Sequence, residues 1–172
     1  MNGIKSKIAV ASLLSLGAFA VQAAPNTEGT WSGVKSWPLI SIHAVLTPQG
    51  KVFTWGTDRA GIQGAQFIYD TWNPDAGTGT GSHQTLPNTV GVDSFCSAAL
   101  LLPESGDVIM AGGDARTQGV TNAGIKNVLK YDTGSQRLSS AASMISARWY
   151  PTTTALPNGE ILIVGGIDLA KA

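Results

Sequence analysis

Two side chains in this sequence have the types and the places to do chemistry together. Cys96 is the only cysteine among 172 residues. It lies seven residues before Pro103, as Tyr150 lies seven before Pro157 and Ser41 seven before Pro48. A lone thiol has no partner for an internal disulfide. A thiol and a phenol held side by side have another reaction open to them, a thioether between sulfur and ring. Taken singly, a free cysteine is usually a small buried hydrophobe and a tyrosine usually packs with its hydroxyl bonded. The matched spacing is what sets this pair apart.

That spacing belongs to a repeat. The stretches "LTPQGKVFTWG", "LLPESGDVIMAGG" and "ALPNGEILIVGG" each run from a proline through a Gly-containing turn and a charged residue into an apolar run and one or two glycines. The proline and glycine set a tight turn between two strands. The apolar run reads as a strand buried on both faces, and the glycines let another backbone pass close by. Between the copies, "FIYDTWNP" from Phe67 and "VLKYDTGSQRL" from Val128 read as short strands ending in Tyr-Asp and a turn. Gly56, Gly113 and Gly166 stand 57 and 53 residues apart. Kelch repeats have a period of about 50 residues, one four-stranded blade each.

The expected fold is therefore all-β, a kelch-type β-propeller with about three blades present and the rest of the propeller missing. The repeats fall around 40–95, 96–148 and 149–172. In a propeller the first strand of each blade lines the central axis. The repeat thus predicts that Cys96 and Tyr150 meet, on neighbouring inner strands.

Composition agrees. The chain has 21 glycines and only 13% charged residues, as an all-β protein with many turns would. Lys5 and Lys7 precede an apolar run from Ile8 to Val21, and Val21-Gln22-Ala23 offers small residues at the −3 and −1 positions of a cleavage site. Residues 1–23 read as a secretory signal peptide rather than a membrane span, with 24–172 the N-terminal part of a propeller. The protein is expected in the periplasm or outside the cell. Without Lys5 and Lys7, nine basic and eleven acidic residues remain, a net charge of −2 that speaks against nucleic acid as a partner.

The stretches "GVDSFCSAALLLP", "MISARWYPTTTALPNGEILIVGG" and "WPLISIHAVLTPQGKVFTWG" resemble the copper-radical oxidases, galactose oxidase and more closely the glyoxal oxidase group. The likeness runs from about Trp31 to Gly166. It implies that Cys96 carries the sulfur and Tyr150 the ring of a thioether-linked radical cofactor, with Tyr150 also a copper ligand. It implies oxidation of small aldehydes or primary alcohols by O2 to give H2O2. The family's axial tyrosine and two histidine ligands come from later in its chain, so these 172 residues alone are expected to be inactive. Galactose oxidase stacks a tryptophan on its cross-linked tyrosine where this chain has Asp168, a departure that favours the glyoxal oxidase side; Trp149 is another candidate shield but reads first as packing between blades. The alternative is a non-catalytic kelch propeller that binds glycan or protein, since fold does not fix function.

The remaining residues have plainer readings. His43 and His83 match no family ligand and read as structural or solvated. Trp55, Trp72 and Tyr131 read as packing between blades. "NPDAGTGTGSH" follows no strand-to-helix pattern and is no phosphate cradle. Asp93, Asp114 and Asp132 read as turn formers.

Overall fold

The computed structural model describes residues 29–63, 68–118 and 122–168; the expected signal peptide and Phe67 lie outside them. The chain divides into two compact units, Met1–Val34 and Lys35–Ala172. Residues 29–34, the described part of the first, have no regular structure. All the described strands belong to the second.

Each Pro-containing turn of the repeat joins two strands, as the sequence implies. In the first, β1 (Ile40–Leu46) turns through Pro48 and Gly50 into β2 (Val52–Thr57). The turn is closed by Gly50 N–H on the Thr47 carbonyl at 3.0 Å, with Gly50 at φ 72°. That left-handed value suits glycine. The chain goes on through β3 (Ile68–Trp72) and β4 (His83–Pro87), giving an antiparallel sheet in the order β1-β2-β3-β4. The second repeat copies it with β5 (Ala98–Leu101), β6 (Val108–Ala111), β7 (Val128–Asp132) and β8 (Arg137–Ser140), in the order β5-β6-β7-β8. The third gives β9 (Trp149–Ala155) paired with β10 (Ile161–Ile167). Three short 3-10 turns are the only helical segments among the described residues. The protein is all-β, with three successive antiparallel sheets of a β-propeller.

The core lies between the first two sheets. Phe53 of β2 stacks on Tyr131 of β7 at 3.9 Å between ring centroids, and Trp55 stacks on Phe53 at 4.9 Å. Tyr69 meets Tyr131 edge-on, and the Tyr131 hydroxyl lies 2.7 Å from Thr71 Oγ1. Burial pushes the Tyr131 phenol up to about 12, so this hydroxyl stays protonated and bonded. Trp55 donates its indole N–H across to the Ser94 carbonyl at 3.2 Å. Trp55 and Tyr131 thus pack sheet on sheet. Trp72 differs from expectation: its ring contacts are Trp37 and His83, and its N–H goes to the Gly77 carbonyl, all at the first sheet.

The apolar runs behave unequally. In β2 and β6 most residues are buried. In β10 none is, and Leu162, Val164 and Ile167 are exposed. Among the described residues β10 pairs only with β9, so nothing covers its other edge.

Candidate functional site at the seam between the second and third sheets

The loop before β5 is shaped by its own polar groups. Asp93 Oδ1 accepts the Phe95 N–H at 3.0 Å, and the Ser97 N–H closes on the Ser94 carbonyl at 3.2 Å. The Asp114 N–H holds the Asp93 carbonyl at 3.0 Å. This tight turn leaves Cys96 buried, with its backbone in the left-handed region at φ 62°. Tyr150, the second residue of β9, has φ 56°. Cys96 and Tyr150 are two of only four non-glycine residues among those described with positive φ. Such a conformation costs a residue with a Cβ about 1–2 kcal/mol, so the surroundings must hold it.

What holds it is a backbone seam. The Tyr150 N–H donates to the Cys96 carbonyl at 3.0 Å, and the Gly113 N–H to the Arg148 carbonyl at 3.2 Å. Further along, Thr153 Oγ1 donates to the Ala99 carbonyl at 3.1 Å. The glycines of "AGG" make this possible: a Cβ on Gly112 would drive into the Arg148 carbonyl oxygen, and both glycines have positive φ. The Arg148 guanidinium in turn donates to the Gly165 carbonyl.

The structure thus brings Cys96 and Tyr150 together across 54 residues of sequence. Burial pushes the Cys96 thiol up, and the nearby Tyr150 hydroxyl offsets only part of that rise. The nearby Cys96 thiol raises the Tyr150 phenol, and the carboxylate of Asp114 adds to both rises. Both groups therefore rest protonated and neutral. Trp149 stands edge-on to Tyr150, ring centroids 4.6 Å apart. Its buried indole N–H also lowers the Cys96 pKa but makes no well-formed hydrogen bond.

Sequence reasoning did not find the group behind this seam. Gln63 Nε2 donates to Asp93 Oδ2 at 3.2 Å and to Asp114 Oδ2 at 2.9 Å, tying two buried carboxylates together. Asp93 shapes a turn as read, accepting the Phe95 N–H, whereas Asp114 reaches across eight residues to accept the Asn122 N–H; burial raises the Asp93 pKa. Asp132 is the simpler case, accepting from Ser135. His43 stacks on Trp55 at 4.8 Å, and His83 bonds the buried Asp70 at 2.7 Å; both are structural rather than solvated.

The phenol oxygen is a donor of the kind copper(II) accepts, and Tyr150 is 54% exposed, so a metal could reach it. The residues fit one donor of a copper site. Among the described residues no group of three His, Cys, Asp or Glu side chains is placed to hold a metal ion.

Two galactose oxidases of Gibberella zeae are each 24% identical to the chain over 143 residues, which is 80% of this chain. In sequence and in fold, the chain is similar to the copper-radical oxidases. A solved fungal alcohol oxidase of the AA5 family, in complex with copper, shares the fold with a TM-score of 0.60 at 18% identity over 80% of this chain. No protein-family model matches. The chain spans 19% of the length of the galactose oxidases and 27% of that of the alcohol oxidase. Among the described residues no helix is long and apolar enough to cross a membrane.

Proposed function

We propose that the chain contributes the Cys96–Tyr150 half of the site of an exported copper-radical oxidase, glyoxal oxidase-like, that converts small aldehydes or primary alcohols with O2. The observation that carries this reading is the meeting of the one thiol with a phenol on the next sheet, both in left-handed backbone. Maturation would break the Sγ–H bond and one ring C–H bond and form one C–S bond. The two electrons and two protons released pass to dioxygen, giving hydrogen peroxide. The thioether sulfur donates density to the ring, so the ring loses an electron more readily. Copper bound at the Tyr150 oxygen would supply the second of the two redox equivalents that alcohol oxidation requires.

This chain's residues do the rest. The seam bonds hold the Cys96 and Tyr150 backbones together, and Trp149 lies edge-on to the Tyr150 ring. Burial of Cys96, with the carboxylates of Asp114 and Asp93 nearby, keeps the thiol neutral until it reacts. The remaining copper ligands and the substrate contacts would come from residues other than these 172.

The test is to load the full-length gene product with copper in air, then denature, alkylate and digest it. The expected result is a Cys96 that resists alkylation and a Cys96–Tyr150 peptide pair lighter by two hydrogens. Recovery of Cys96 as a free, alkylatable thiol would sink the proposal and leave a propeller that binds glycan or protein.

A further inference from the structure

A second feature lies beside β4, an edge strand of the first sheet. A cleft of about 460 Å³ is bounded by Trp37, Arg59, Thr78, Thr80, His83 and Thr85, among others. The volume is that of a small-molecule site, for which about 300–1,000 Å³ is usual. We propose that this cleft binds an acidic sugar, a pyranose bearing a carboxylate.

Charge gives the first reason. Among the described residues no acidic side chain lines the cleft, and Arg59 makes no ion pair. A guanidinium recognises a carboxylate with two parallel donors. Hydroxyl chemistry gives the second. Thr78, Thr80 and Thr85 offer short donors and acceptors at the rim. His83 is fixed from behind, because its Nδ1 bonds Asp70 Oδ2 at 2.7 Å and Asp70 is fully buried. Asp70 also accepts from Thr85 Oγ1 at 2.9 Å. With Nδ1 so engaged, Nε2 is the nitrogen left for a ligand hydroxyl. The aromatic wall gives the third reason. Trp37 is anchored by its N–H to Thr54 Oγ1 at 3.2 Å, and Trp72 and His83 both meet it edge-on at 5.3 and 4.6 Å. Trp37 is half-buried and lines the cleft, so it offers apolar indole surface to the C–H side of a sugar ring. An aliphatic carboxylate would use Arg59 alone; a sugar acid uses all three.

This site does not depend on the copper reading. The full-length protein is titrated with glucuronate, glucose and acetate, following tryptophan fluorescence and heat. Saturable glucuronate binding is expected, with glucose, which lacks the charge-assisted contact, and acetate, which lacks the ring and hydroxyl contacts, each about tenfold weaker or more. Arg59→Gln should lower glucuronate affinity about tenfold without changing thermal stability, because Arg59 is exposed. Thr80→Val, also at an exposed position, should weaken glucuronate and glucose alike. Cys96→Ser should leave glucuronate affinity unchanged, which separates this site from the oxidase reading. Absence of saturation, acetate binding as tightly as glucuronate, or an Arg59→Gln protein that binds normally would each overturn the proposal.

Discussion

At the scale of single residues, burial decides what the polar groups do. His43 is the clearest case. Its ring lies flat on Trp55, its Nε2 is buried without a hydrogen-bond partner, and burial lowers its pKa from the ordinary 6.5. The folded state therefore binds its proton less readily than the unfolded state. The associated stability is full above about pH 6.5 and is lost as pH falls through the lowered folded value. Melting temperature should fall between pH 7 and pH 5, and His43→Phe, which keeps a stacked ring, should flatten that part of the profile. Calorimetry across this range checks it; an unchanged slope in the variant would place the titration elsewhere. Cys96 and Tyr150 were legible as a pair because their distances to the repeat prolines match. Gln63 was not, because its bonds to Asp93 and Asp114 cross 30 and 51 residues outside the repeat pattern. An amide side chain in a loop has no periodicity to betray it.

At the scale of elements, turn and strand chemistry were largely readable. The Pro-Gly turns and the four-strand order follow from the repeat, and the paired glycines announced a close backbone approach. The neighbour that approaches, the Arg148 carbonyl of the following sheet, was not readable, since it depends on how one sheet lies on the next. Gly112→Ala tests this contact. The new Cβ meets that carbonyl and the backbone sits at φ 75°, so urea unfolding should show a loss of about 1–3 kcal/mol or more. A loss below about 0.5 kcal/mol, the range of an ordinary surface change, would mean the seam yields easily. The run "ILIVGG" shows the limit of such reading. It has the same pattern as the buried strands β2 and β6, yet β10 is exposed. Apolar pattern states what a strand needs covered; its neighbours state whether it is.

At the scale of the whole molecule, the described sheets expose apolar side chains on both β1 and β10. Ile40, Ile42 and Leu46 are exposed on the first, Leu162, Val164 and Ile167 on the second. Unpaired edges with apolar side chains invite association. The 172-residue chain should self-associate as concentration rises, and the double change Leu162→Lys with Val164→Lys should reduce it. Light scattering is the readout, and equal scattering from both proteins would exonerate β10.

The bond between the Tyr150 amide and the Cys96 carbonyl has one more consequence. It crosses the seam where the thioether would form, so that cross-link would be a mechanical latch as well as a redox group. It would close a loop of 54 residues. Restricting the unfolded chain in this way is worth about 4 kcal/mol by chain entropy. Matured protein should then melt higher than protein kept free of copper, and it should keep that advantage after the metal is stripped away. Heat resistance would record, without any substrate, that the chemistry had once taken place.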